Sequence, residues 1–422
     1  MRVPRLRAGS GVAGIGVAIG VASLAGYALL ALVGKVLDPA SFGLFVAFWG
    51  VLFGLGSSLS TIEQESARRA ANSETETGPS TGTVTAAAAV LAVGAAALTL
   101  LPPVASRLYG DPESTIGLVV VVAAFGFAVQ FAVRGVLIGS DEVGQYAGLV
   151  VAEALSRLVL LLVIIVAVGL TLPTAAVAVG VGSFAWVLWA RRLGSVVPLG
   201  RPQVRTLGPA LRRAASLMVA AALTASVITG YPTMVTALTD TPPGAAGGAV
   251  FAALTVSRIP LLLVSPIQAL AVPAVVRWSA QGDGAPSPLR RMLVLGTGGA
   301  VLLAVVGGLV GALVGPWVVR VVYTDEYDVE GLAVGLLVAS SCLLAWVLLL
   351  SAALVALSAY RHMIGAWAVA AGSTALWLTV SDLDVVATTA VGALVGPLAA
   401  LAWALPALWS QTAAPARTSG AG

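Results

Sequence analysis

The chain has 422 residues, of which 59% are hydrophobic and only 9% charged, with a formal net charge of +4 and a mean hydropathy of +1.01. A soluble domain carries about 25% charged residues, and no soluble core could bury this much apolar surface, so the composition excludes a soluble globular protein and predicts a multi-pass membrane protein. The apolar residues come in continuous runs rather than strict alternation, which excludes a β-barrel.

The predicted elements are all α-helical. Twelve spans are expected at about 11–33, 42–61, 84–104, 115–138, 147–168, 174–190, 214–238, 249–276, 292–315, 331–356, 363–380 and 385–409. The first follows Arg2, Arg5 and Arg7 in the manner of a signal peptide, but its apolar run from Gly11 to Val33 is too long for one and reads as a retained helix. With the N-terminus inside, the segments on the cytoplasmic side hold sixteen basic residues: Arg2, Arg5, Arg7, Arg68, Arg69, Arg191, Arg192, Arg201, Arg205, Arg212, Arg213, Arg277, Arg290, Arg291, Arg361 and Arg417. The outer segments hold three, Lys35, Arg107 and Arg320. This asymmetry orients both termini to the cytoplasm. It also accounts for the basic pI without nucleic acid as a partner. Lys35 is the one lysine among 22 basic residues and Ala, Gly and Val are abundant, which suggests a GC-rich bacterial genome and so a bacterial cytoplasmic membrane.

Residues 191–213, between the sixth and seventh spans, form a basic linker rich in Pro and Gly whose arginines suit anionic membrane lipids. The linker divides the chain into an N-terminal six-helix lobe over 1–190 and a C-terminal one over 214–409, with a disordered tail over 410–422. Two even-numbered copies would run parallel. Small residues four apart, Gly16/Gly20, Gly50/Gly54, Gly307/Gly311/Gly315 and Gly392/Gly396, read as close helix contacts.

The fifth span carries the pair that most needs explaining. Glu153 and Arg157 lie four residues apart, on one helix face, in a run otherwise apolar. An ionisable group at the bilayer centre costs roughly 2.5–3.5 kcal/mol on insertion scales, and two leucines would insert more easily. The pair reads either as a functional site facing a wet interior or as a structural or coupling ion pair. In the eighth span, Arg258 sits about a third of the way in from the outer side, near Thr255 and Ser265 on its face, and Pro260, Pro266 and Pro273 should bend the helix. Arg134 lies near the cytoplasmic end of the fourth span and could instead reach the headgroups. Three guanidinium groups, Arg134, Arg157 and Arg258, against Glu153 as the one clear intramembrane acid, suggest attraction of an anion, whose phosphate oxygens arginine forks match in pairs.

Other chemistries find little support. Gly9–Gly14 has dinucleotide-binding spacing but follows no strand. No P-loop, nucleophile elbow or metal-ligand spacing occurs; Cys342 and His362 are each single, so neither a disulfide nor a metal cluster is expected, and no cofactor or catalytic residue is assigned. The acidic outer loop Asp325, Glu326, Asp328 and Glu330 leaves a membrane glycosyltransferase open, beside the plainer reading of a solvated loop.

The segment Phe131–Arg157, with Arg134-Gly135, Gly139, Tyr146, Glu153 and Arg157, resembles the span four–five hairpin of bacterial polysaccharide-biosynthesis flippases, in particular actinobacterial ones. Leu37-Asp38-Pro39 with Phe42-Gly43, Glu63-Gln64-Glu65 with Arg68, Ser257-Arg258-Ile259-Pro260 with Gln268 and Pro273, and Leu357 with Tyr360-Arg361-His362 are similar to the same family. It belongs to the multidrug/oligosaccharidyl-lipid/polysaccharide exporter superfamily. The resemblance implies two six-helix lobes around a central cavity that opens alternately to either side, and a polyprenyl-(pyro)phosphate-linked oligosaccharide as substrate. It also implies drive from an ion gradient or the membrane potential, and basic cavity residues, Arg258 foremost, on the anionic head. The first and seventh spans lack the core arginines of lipid II flippases, which argues against lipid II itself. A multidrug or cation antiporter of the same fold, and a non-transporting scaffold that docks a glycan polymerase or glycosyltransferase through the basic linker, remain the alternatives.

Overall fold

The computed structural model describes residues 10–71, 79–110, 115–192, 199–239, 244–259, 261, 275 and 288–413. Among them are fourteen α-helices and no strand: α1 (Ser10–Val36), α2 (Pro39–Ala71), α3 (Thr81–Ala97), α4 (Pro102–Tyr109), α5 (Thr115–Gly139), α6 (Val143–Ala167), α7 (Leu172–Val181), α8 (Val204–Ile228), α9 (Tyr231–Leu238), α10 (Gly244–Ser257), α11 (Pro288–Val322), α12 (Gly331–Ala356), α13 (Tyr360–Val380) and α14 (Val385–Ala413). A 3₁₀ segment, Gly182–Arg192, continues α7. Eleven of the helical stretches are long and apolar enough to cross a membrane, and α10 is a shorter apolar helix. The protein is a multi-pass, all-α membrane protein.

Several boundaries differ from expectation for local reasons. The third span ends in a 3₁₀ turn, Leu98–Leu100, because Pro102 and Pro103 start a new short helix, α4. The expected seventh span starts ten residues earlier, at Val204, so the second half of the basic linker is helical; it then breaks at Thr229-Gly230 before α9. In the expected eighth span the helix ends at Ser257 and Arg258 is in a turn. Pro260, Pro266 and Pro273, and with them the predicted bending, lie outside the described residues. The last helix runs to Ala413, into the expected tail, and 414–422 also lie outside them.

By contacts the chain forms two compact units, Met1–Ala237 and Leu238–Gly422. In the first, α2 packs along α5, α1 along α6, and α3 along α5, while α8 lies against both α2 and α3. The residues before α8 explain that last contact. Gly200 has φ +72, a left-handed conformation that costs glycine little. The turn it makes lays the chain on the start of α3, where Ser80 Oγ donates to Arg201 O (2.9 Å), the Gln203 amide donates to Thr83 Oγ1 (2.9 Å) and the Gly82 amide donates to Leu199 O. In the second unit, α11 packs on α12 and α13 on α14, with α10 against α11, α12 and α14. Ser340 Oγ on α12 donates to Ala393 O on α14 (2.7 Å), and Trp346 Nε1 donates to Thr297 Oγ1 on α11 (3.1 Å).

The small-residue stripes divide. Side chains added at Gly311 and Gly315 would collide with Val338 and Val334 of α12, so that stripe is a close helix contact as expected. Gly16, Gly20 and Gly54 face open space. Gly50 instead makes room for α9, whose Thr233 Oγ1 donates to Ala47 O (2.8 Å).

Asp38 caps α2: its Oδ1 accepts from the amides of Ala40 (3.0 Å) and Ser41 (3.1 Å). Hydrogen bonding, first from the Ser41 hydroxyl and then from backbone amides, holds its carboxyl below the ordinary range. Asp38→Ala should therefore lower stability by about 1 kcal/mol. The cap's contribution should be complete above the unfolded carboxylate value of about 3.9 and be lost as pH falls through the depressed folded value. Thermal unfolding of wild type and variant across pH 3–7 (roughly the carboxylate range) checks both.

Candidate functional site

A row of aromatic rings runs down the inner face of α2. Ring centroids of Phe42 and Phe45 are 6.4 Å apart, Phe45 and Trp49 6.1 Å, Trp49 and Phe53 4.2 Å, and Phe53 and Phe127 of α5 6.2 Å; Phe127 and Phe131 are 5.9 Å apart. Rings at such distances contribute about 0.5–1.5 kcal/mol per pair beyond their burial. The row ends at two guanidinium groups. The Arg157 Cζ lies 4.9 Å from the Phe53 centroid and 5.5 Å from that of Phe127, and the Arg134 Cζ lies 5.2 Å and 5.7 Å from those of Phe131 and Tyr146.

The charged groups form a chain. Tyr146 Oη donates to Glu63 Oε1 at 2.9 Å. Arg134 Nε lies 3.9 Å from Glu63 Oε2, and its Nη1 lies 3.5 Å from Glu153 Oε2. Arg157 Nη2 donates to Glu153 Oε1 at 2.5 Å. Side-chain exposure is 18% for Glu63, 13% for Arg134, 9% for Glu153 and 8% for Arg157. In such surroundings removing one partner strands a charge, at a cost of about 3–5 kcal/mol. Two carboxylates and two guanidinium groups cancel formally, so inside this unit the arginines face acids and not an open positive chamber. Arg134 turns inward between two acids instead of reaching for the headgroups.

Backbone proximity sets up the chain. Side chains added at Gly135 and Gly139 would meet the carbonyls of Glu63 and Ala67, so α2 and α5 touch there without intervening side chains. That contact carries Glu63 beside Arg134. A side chain at Gly182 would overlap Arg157, whose Nε donates to Val179 O at 3.1 Å. Ser183 Oγ donates to Gly180 O at 2.8 Å. Two carbonyls at the end of α7 are thus engaged by side chains. The helix tightens into 3₁₀ geometry from Gly182 for 11 residues, where runs beyond about 3–4 are uncommon. Trp189 on that segment donates to Gln145 Oε1 (2.8 Å), tying it to the start of α6. Arg134 Nε and both amide atoms of Gln130, one turn earlier on α5, are buried without a hydrogen-bond partner. Such groups favour bound water.

Of the residues singled out from the sequence, Arg134, Arg157 and Glu153 come together, and the Glu153–Arg157 pair forms as the spacing predicts. Arg258 belongs to the second unit. It is half-buried at the end of α10, its amide donating to Thr255 O (3.3 Å) and its carbonyl accepting from the Leu261 amide (2.9 Å). Glu63 is the participant that hydropathy missed. The second span was expected to end at residue 61, but α2 continues to Ala71 and carries Glu63 beside Arg134, so Glu153 is not the only acid at these arginines. What could have found it in the sequence was the stretch Glu63-Gln64-Glu65 with Arg68, which hydropathy leaves outside the span.

No protein-family model matches the chain. Two uncharacterized proteins of Mycobacterium tuberculosis are similar over nearly its whole length. Rv3630 is 28% identical over 420 residues, covering 95% of this chain and 92% of its own. Rv1510 is 29% identical over 420 residues, covering 94% and 91%. Among solved structures, the inward-facing conformation of a multidrug resistance MATE family transporter of the MOP superfamily superposes with a TM-score of 0.64 at 16% identity, covering 94% of this chain and 96% of that one. The lipid II flippase MurJ, in an inward closed conformation, gives 0.63 at 12% identity, covering 92% and 86%. At such identities the likeness is one of fold.

Two substitutions test the geometry. Gly182→Ala should push Arg157 off Glu153 and cost about 1–3 kcal/mol, whereas Gly54→Ala, facing open space, should not destabilise; thermal unfolding in detergent compares them. Arg157→Met should cost about 3–5 kcal/mol, and Glu153→Gln with Arg157→Met together should cost less than the sum of the singles. A double-mutant cycle by thermal unfolding reads the coupling.

Proposed function

We propose that the protein is a transporter that turns a polyprenyl-(pyro)phosphate-linked oligosaccharide across the bacterial cytoplasmic membrane by alternating access, with both termini inside, for surface polysaccharide assembly. The observation that carries this reading is the fold likeness to a lipid II flippase over 92% of the chain, joined to the arginine asymmetry across the spans. Arg258 is the proposed contact for the anionic head, through a charge-assisted fork to phosphate oxygens. Arg134 and Arg157, held in the charged chain with Glu63 and Glu153, are proposed as further contacts for an anionic head group. Glycan polymerases or glycosyltransferases would be the partners that supply or consume the substrate.

A second reading, a cation or multidrug antiporter of the same fold, gains from Glu63. Two buried carboxylates in one unit could bind a cation if the arginines withdrew, and a MATE transporter superposes as well as the flippase does.

Reconstituted protein should move a fluorescent polyprenyl-pyrophosphate oligosaccharide between leaflets. Arg258→Gln should slow this at least about tenfold, the worth of one charge-assisted contact, with the protein still inserted and folded. Efflux of a cationic dye that is lost in Glu63→Gln and Glu153→Gln, with no movement of the saccharide lipid, would decide for the antiporter.

A further inference from the structure

One buried polar residue of the first unit stands outside the four-charge chain. Gln130 on α5 is 0% exposed, and neither its Oε1 nor its Nε2 has a hydrogen-bond partner among the described residues. Flipping the amide changes nothing, because both atoms are in the same position. Gly126 and Arg134 stand one turn before and one turn after it on the same face of α5. A side chain at Gly126 would collide with Ser183, so α5 and the 3₁₀ segment touch there and close that end. Arg134 lies between Glu63 and Glu153, and its Nε also lacks a hydrogen-bond partner among the described residues.

The chemistry of these atoms selects the ligand. Gln130 Nε2 and Arg134 Nε can only donate, and Gln130 Oε1 can only accept. A cation at Oε1 would face the Arg134 guanidinium. An anion at the two donors would face Oε1 and the carboxylates that flank Arg134. The chain of two carboxylates and two guanidinium groups has no formal net charge with which to draw either. Water both donates and accepts, and an interior water makes about three hydrogen bonds to buried polar groups of this kind.

We propose that Gln130 holds internal water in the first unit, water that donates to its Oε1 and accepts from its Nε2 and from Arg134 Nε, so that the charge chain is solvated from within the bundle. Gln130 is then a positioning residue. It acts on Arg134 through water, and gives the guanidinium a neutral partner besides its two acids. The site is independent of which substrate the protein carries.

The full-length protein in lipid nanodiscs is exposed to brief X-ray pulses, which turn water into hydroxyl radicals where it sits, and mass spectrometry reads which side chains are oxidised. Phe127, 1% exposed, lies three residues before Gln130 on α5, whereas Phe45, 0% exposed, lies toward the far end of the aromatic row. Bulk solvent reaches neither ring, so oxidation of Phe127 without oxidation of Phe45 is expected and reports internal water. Gln130→Met, apolar and of similar length, should lose the oxidation of Phe127. It should also lower the unfolding temperature, because Arg134 Nε then loses the water that served it. Wild-type protein in which Phe127 stays as unlabelled as Phe45 would overturn the site, however the variant folds. Unchanged labelling in Gln130→Met would overturn the role of Gln130. So would a raised unfolding temperature, which is the result of removing an amide that no water had satisfied.

Discussion

Four charges held in an apolar helix bundle constrain the first unit more than any other feature. Glu63, Arg134, Glu153 and Arg157 alternate in sign and come from three helices. Each is affordable only while its neighbours stay within a few ångströms, since an ion alone in such surroundings is costly. Moving α2, α5 or α6 separately would therefore break a pair. The three helices are committed to one another electrostatically, and the aromatic row between Phe42 and Phe131 commits α2 and α5 sterically.

That commitment reaches into backbone geometry. Arg157 donates to the Val179 carbonyl at the end of α7, where the 3₁₀ segment Gly182–Arg192 begins. It couples the charge chain to the last helix before the linker, and through the strap of Leu199–Gln203 on Ser80–Thr83 the next helix, α8, is held on the same unit. A conformational change in this unit would have to carry α8 with it.

The two arginine-rich places join different helices. The interior chain sets two carboxylates against two guanidinium groups and ties α2, α5 and α6 together. Around Glu65, Arg68 and Arg69 of α2 and Arg213 of α8 meet one carboxylate, which ties α8 to α2.

The amino-acid sequence alone determined the class of the protein: a membrane bundle with most of its helices in place, because long apolar runs and their arginine-rich flanks are local and additive signals. It also determined the Glu153–Arg157 pair, since four residues on a helix is a fixed geometry. Only the tertiary structure decided that Glu63 joins them, because that depends on α2 outrunning its apolar stretch and on two glycines of α5 letting the helices touch. It likewise decided that Arg134 turns inward, that Gly182 houses Arg157, and that α8 sides with the first unit. Those outcomes rest on contacts between segments 22 to 148 residues apart, where no periodicity within a single helix carries the information.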